Sequence, residues 1–294
     1  MRIAVVTTSY PTHEGNPSGH FVETEVHQLE RAGHEVRVIR PSAGGAFGWP
    51  GAATRIREKP SRALEAGGWL LKARFDLMRD PPDKIIAHWC VPCAYPIALA
   101  DGPELEIVSH GGDVRLVSQL PARQLVVRAL LDRASRWRFV SEELRDTLAA
   151  ALPSELGARL RSMSHVVPSA IDVPDVLADA AVKRSLIGDR RLYVCAGRLV
   201  ASKRVDKVID YVAGSIERDE RTLIVIGDGP ERARLERVAQ GWQMDIRFLG
   251  KIERREALGW IGAADELVHA SRAEGLSTVI REAERLGVPV TILS

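Results

Sequence analysis

Short apolar runs alternate with helix-patterned stretches along nearly all of the 294 residues, and the series is run twice. Strands alternating with helices form parallel sheets joined by right-handed crossovers. The first series opens with a strand at Ile3–Val6 and a long loop at Ser9–Gly19. A helix follows at Phe21–Ala32, where Val22, Val26 and Leu29 share one stripe and Gly33 stops the pattern. Glu35–Ile39 is the next strand, and residues 41–60, rich in glycine and proline, read as loop. The series continues with a helix over 61–79, a strand at Lys84–His88, a helix from about Tyr95, a strand at Leu105–His110, a helix over 122–135, a strand at Trp137–Val140 and a helix from Glu142. Val166-Val167-Pro168 closes this half, and residues 168–175, with two prolines, read as a linker. The second series has strands at Leu192–Ala196, Thr222–Ile226, Ile246–Leu249, Leu267–His269 and Val290–Leu293, with helices from about 203, 231, 254 and 277. The expected fold is α/β, with two Rossmann-like domains, 1–170 and 171–294, whose parallel sheets face across a cleft. Ligands of such sheets bind beyond the carboxyl ends of the strands, so residues there weigh most.

Composition narrows the function. Forty-one basic against 39 acidic side chains leave a formal charge of +2, too balanced for a nucleic-acid binder by bulk electrostatics. Three cysteines cannot staple a fold of this size. No apolar run approaches the roughly 20 residues of a membrane-spanning helix. The start turns polar at Thr7-Thr8, too soon for a signal peptide, so the cytoplasm is the expected compartment.

Three strand-end constellations carry candidate chemistry. In Gly197-Arg198-Leu199-Val200-Ala201-Ser202-Lys203, a strand gives way to a helix. Two cations near a helix start suit a diphosphate, and Gly197 permits close backbone approach. Solvated surface charges are the plain alternative. In Glu274-Gly275-Leu276-Ser277-Thr278, a loop enters the helix that bears Glu282. Ser277 or Thr278 can cap that helix, an anion can lie on the N–H groups around Leu276, Ser277 and Thr278, and Glu274 and Glu282 can accept hydroxyl hydrogen bonds. For Glu282 the alternative is a helix-surface charge beside Arg281 and Arg285. In Ser109-His110-Gly111-Gly112-Asp113, a histidine at a strand end can bond a substrate hydroxyl, or it can be structural in a turn.

Taken in order, these pieces resemble the family-four retaining glycosyltransferases of GT-B fold, the glycosyl transferases group 1. The likeness runs through Pro17-Ser18-Gly19-His20, Ala32-Gly33-His34-Glu35-Val36, Ala87-His88-Trp89, His110-Gly111-Gly112-Asp113, Val140-Ser141-Glu142 and Val167-Pro168-Ser169-Ala170-Ile171-Asp172. It goes on through Gly197-Arg198 with Lys203, Gly227-Asp228-Gly229-Pro230, and Glu274 with Glu282 at the spacing E-x7-E. The resemblance implies transfer of a sugar from a nucleoside-diphosphate donor, with retention, usually without a metal and with no other cofactor. No Asp-x-Asp pair occurs. It implies that Arg198 and Lys203 hold the diphosphate and stabilise the leaving group, that Glu274 binds the transferred sugar, and that Glu282 binds the ribose hydroxyls. His110 would contact the sugar near the reaction centre, and Gly19 would let its loop approach donor phosphate or acceptor. Catalysis would rest on His110, Glu274, Arg198 and Lys203, and donor binding on Gly19, Gly197, Arg198, Lys203, Glu274, Leu276, Ser277, Thr278 and Glu282. Ser169-Ala170 and Ser277 depart from the family's usual Asn-Gly and Gly. The family's chain normally runs on past Pro289-Val290 into a further helix, whereas this sequence ends at Ser294. The acceptor would be a glycan, a lipid carrier or a small metabolite.

Other readings compete. Trp89-Cys90-Val91-Pro92-Cys93 resembles a thioredoxin active-site motif, and a thiolate at a helix start would be reactive. A degenerate transferase that only binds is a third reading. Gly227-x-Gly229 lacks the third glycine of a dinucleotide fingerprint, with Arg232 in its place. Arg62, Lys72, Arg74 and Arg79 on one predicted helix, and Arg123, Arg128, Arg133, Arg136 and Arg138 on or after another, join Trp69 and Trp137 as candidates for peripheral contact with the inner, anionic membrane face.

Overall fold

The computed structural model describes residues 1–42, 44–47, 52–214, 220–271 and 277–293, with backbone only at 53 and 54. Two compact units emerge: Met1–Thr12 with Ser18–Ala170, and His13–Pro17 with Ile171–Ser294.

The first unit carries six strands: β1 (Arg2–Val6), β2 (Glu35–Ile39), β3 (Lys84–His88), β4 (Glu104–Ser109), β5 (Arg136–Phe139) and β6 (Ser164–Val166). They form one sheet in the order β2-β1-β3-β4-β5-β6, all parallel. The chain steps from β1 out to β2, then returns to the other side of β1 for β3. The loops after β1 and β3 therefore diverge at a topological switch point, where a crevice opens above the sheet. Ile3, Val5, Ile86 and Val108 pack there against Val22 and Val26 of the helix His20–Arg31, so the helical stripe covers the sheet. That helix starts at Gly19, whose φ of 75° is in the left-handed region. A Cβ at Gly19 would stand 2.5 Å from the Ser9 carbonyl, so glycine folds the long loop back on itself.

The second unit has five strands: β7 (Arg191–Ala196), β8 (Arg221–Ile226), β9 (Asp245–Gly250), β10 (Glu266–His269) and β11 (Val290–Ile292). Their order is β11-β10-β7-β8-β9, again all parallel, with the switch point between β7 and β10. Successive residues of a strand point to opposite faces, and the two cores follow that rule. Leu192, Val194, Ile224, Ile226 and Leu267 pack with Leu258, Trp260 and Ile261 of the helix Arg254–Ala263. Tyr193, Cys195, Leu223, Val225 and Val268 pack with Val205, Val208, Ile209 and Val212 of the helix Val205–Ala213.

Four helices depart from the sequence expectation. Ala52–Glu58 lies within the stretch expected to be loop, and Gly112–Gln119, Ser154–Met163 and Leu177–Ser185 were not foreseen. Glycines at 111 and 112 hide a helix whose first turn carries Asp113, and Pro153 before Ser154 is a start signal. The helix expected from about 203 begins at Val205, after a short 3-10 turn at Ala201–Lys203 and a left-handed Arg204. Lys203 thus lies on the turn before the helix. Among the described residues, no helix is long and apolar enough to cross a membrane.

Candidate active site

At the second unit's switch point, Gly197 follows the end of β7, with Arg198 exposed beside it. The neighbouring loop clamps this segment by backbone bonds: Gly197 N donates to Ile226 O at 2.9 Å, and Leu199 N donates to Asp228 O at 2.9 Å. A Cβ at Gly227 would collide with the Gly197 carbonyl oxygen, so the two loops touch backbone to backbone. The Lys203 side chain folds back over Gly197, its Cε 3.7 Å from where a Cβ would stand. The 3-10 turn therefore delivers the lysine to the strand end.

His269, at the end of β10, was missed by sequence reading. It is buried, and burial and then the charge of Lys203 push its imidazole down to about 4. Arg204, also unforeseen, ties three segments together. It donates to Ala270 O at 2.7 Å and to Leu293 O at 3.0 Å, fixing the ends of β10 and β11 beside the Lys203 turn.

Glu282 is buried in the helix Thr278–Arg285, which rules out the surface-charge reading. Its carboxylate accepts from Arg254 Nη2 at 2.7 Å. The same guanidinium bonds the Asp172 carbonyl. Ser277 occupies the N-cap, but its side chain makes no capping bond, contrary to expectation. Ser277 and Thr278 thus stand at an uncapped helix start, while Glu274 and Leu276 lie outside the described residues.

In the first unit, His110 follows β4 and His88 ends β3. The parallel register pairs His88 with Val108, which places the two rings side by side. His88 Nδ1 and His110 Nε2 are 2.9 Å apart, with the rings 13° from parallel. Phe21 and Trp89 pack on His110 at centroid distances of 4.8 and 4.9 Å. Burial lowers both imidazoles, His88 to about 3, and in His110 the neighbouring ring adds to it. The loop is held by buried Asp113, which accepts from the N–H groups of Cys90, His110 and Gly111 at 2.9, 3.1 and 3.0 Å.

Burial, with that carboxylate second, sets the thiol chemistry. Cys90 and Cys93 are buried, and burial and then the Asp113 charge push both thiols up, Cys90 far up. A redox nucleophile needs a stabilised thiolate, and this environment does the opposite. Trp137 and Arg138 correct a further expectation. Trp137 is buried and donates to Ser109 Oγ at 3.0 Å. Arg138 lies between Glu25 and Glu106, 2.5 Å from each. Neither is placed to meet a membrane. The helix Arg62–Arg79 differs. It buries only Ala73 and Leu77, while Leu64, Leu71, Phe75 and Met78 are 81, 72, 64 and 71 % exposed. At 3.6 residues per turn those four share an arc of about 60°.

Residues 190–293 match the family model of glycosyl transferases group 1. The chain is 27% identical over 308 residues to a GDP-mannose-dependent alpha-(1-6)-phosphatidylinositol monomannoside mannosyltransferase of Mycobacterium tuberculosis, spanning 98% of this chain and 79% of that one. It superposes on an Anabaena protein in complex with UDP-glucose with a TM-score of 0.69 at 17% identity, over 99% of this chain and 80% of that one. It superposes on the sucrose-phosphate synthase of Thermosynechococcus elongatus with a TM-score of 0.72 at 17% identity, over the same shares. The chain is therefore a glycosyltransferase of GT-B fold, with residues 190–293 its glycosyl transferases group 1 region.

Proposed function

We propose that this chain transfers a sugar, with retention and without a metal, from a nucleoside-diphosphate sugar to a lipid-linked or glycan acceptor. The observation that carries the reading lies at the second unit's switch point, where an exposed arginine follows β7 and a lysine folds over the glycine at the strand end. A buried, arginine-held glutamate lies on the helix that follows β10. Arg198 and Lys203 neutralise the diphosphate and stabilise its charge as the sugar leaves. Gly197 lets phosphate oxygens reach the backbone, and the N–H groups of Ser277 and Thr278 add donors at a helix start. Glu282 accepts from the ribose hydroxyls, and Glu274 binds the sugar. In the first unit, His110 bonds a sugar hydroxyl, and Gly19 shapes the loop after β1.

GDP-mannose is the donor to test first, because it is named for the mycobacterial relative. The acceptor side is supported by the outward stripe of the helix Arg62–Arg79, flanked by Lys72, Arg74 and Arg79. An apolar stripe with basic flanks suits the surface of an anionic leaflet. In this reading the enzyme works from the cytoplasm, peripheral on the inner membrane face.

Calorimetry of GDP, UDP and ADP on the purified chain tests the donor site. One diphosphate should bind, and Arg198→Ala, Lys203→Ala and Glu282→Ala should each weaken it about 10-fold or more. Absence of binding to a folded chain would overturn the reading. The anomeric configuration of the product, followed by NMR with and without a chelator, tests retention and metal independence.

A further inference from the structure

His110 is joined through His88 to a buried chain of charges that sequence reading did not assign. His88 is fully buried, and its Nε2 has no hydrogen-bond partner. That nitrogen faces Glu25 Oε2 at 3.9 Å. Glu25 is held in turn by Arg138, Arg138 by Glu106, and Glu106 by Lys84 at 2.6 Å. At its other end, His110 Nδ1 lies 3.4 Å from Ser169 Oγ.

The N···N contact between the rings holds one proton, so two arrangements are open. In one, His88 donates from Nδ1, and its bare Nε2 lone pair then faces the Glu25 carboxylate in a buried setting. In the other, His88 carries its proton on Nε2, toward Glu25, and accepts from His110 Nε2–H. The second turns an acceptor–acceptor clash into an attraction, and low dielectric enlarges that difference.

We propose that His88 and Glu25 are positioning residues that lock His110 in its Nε2–H tautomer. His110 Nδ1 then accepts a hydrogen bond, from Ser169 in the empty protein and from a sugar hydroxyl in the complex. The step to the sugar rests on the reading of His110 given above; the tautomer does not.

The test is long-range proton–nitrogen NMR on the full chain labelled at histidine nitrogen, with His88→Asn and His110→Asn for assignment. The expected wild-type spectrum has a protonated Nε2 and a bare Nδ1 on His110. Glu25→Gln supplies the perturbation. Arg138 holds the amide oxygen, so the amide N–H₂ faces His88 Nε2 and should drive His110 toward its Nδ1–H form. Transfer kcat/KM should then fall about 5- to 10-fold, with binding of the nucleoside diphosphate changed less than 2-fold. A wild-type His110 protonated at Nδ1, or a folded Glu25→Gln chain with an unchanged His110 spectrum, would overturn the proposal. His110→Ala separates the two claims. Unchanged transfer in that variant would remove His110 from the sugar, while the spectra would still decide the tautomer.

Discussion

The two units are both all-parallel sheets, but the first reverses after one step and the second after two, and their strand ends carry opposite chemistry. The first presents His110, made neutral by burial and by its partner ring. The second presents Arg198 and Lys203 on loops that touch backbone to backbone. A neutral ring discriminates hydroxyls by direction, whereas cations and bare N–H groups attract a polyanion from a distance. Parallel sheets of either order can thus present a neutral or a cationic surface, according to which side chains reach the strand ends.

The largest effect should come from Arg254→Ala. It takes the guanidinium away from the buried Glu282 carboxylate, and removing one member of a buried ion pair costs about 3–5 kcal/mol. Denaturant unfolding followed at Trp260 of the second unit should show the loss, with the first unit unchanged. Equal destabilisation of both units would break the contrast. Lys203→Ala should come next, lowering the transfer rate by on the order of 10²–10³-fold, as removal of a charge aimed at a leaving group does. A single-turnover assay at saturating donor would read it, and a fall confined to KM would sharpen the role to ground-state binding.

The effect of Phe75→Glu should be smaller. Burying a Phe-sized side chain contributes about 1.5–3 kcal/mol, so sedimentation with anionic vesicles should weaken about 10- to 100-fold while diphosphate binding holds. Undiminished vesicle binding would detach the acceptor side from that helix.

The smallest effect is the pH dependence of the histidine pair. Both imidazoles are lowered in the folded chain, His88 to about 3, whereas unfolded histidines protonate below about 6.5. The unfolded state then binds more protons, and stability is lost as pH falls below 6.5. The slope is at most about 1.4 kcal/mol per pH unit for each ring. Unfolding measured from pH 7 to 5.5 should show this slope, and a chain with both histidines replaced by asparagine should be flatter. A wild-type chain with no slope would mean that the first unit's site is not the buried, neutral one described here.

Much of this plan is legible in the sequence, and the reason is local. Strands such as Arg2–Val6 and Lys84–His88 announce themselves because their apolar residues are consecutive and their boundaries carry breakers. The helix Gly112–Gln119 does not, because its glycines look like loop. Gly197 and Lys203 could be placed together because they stand only six positions apart. His88 beside His110 depends on the β3–β4 register, and Arg254 beside Glu282 depends on how two helices pack. No local pattern encodes either pairing. Arg138 shows the reverse error. Its charge suggested a surface, yet two acidic partners draw it inside.

The burial of Cys90, Cys93 and Cys195 has a practical side. Burial pushes the Cys195 thiol up to about 12, and the other two are raised as well. Maleimides and similar reagents need an accessible thiolate, so the native chain is already a quiet background for labelling. Leu71→Cys would then supply a single reactive handle on the outward stripe. A polarity-sensitive dye attached there would report, by its colour, whether that face leaves water when vesicles are added.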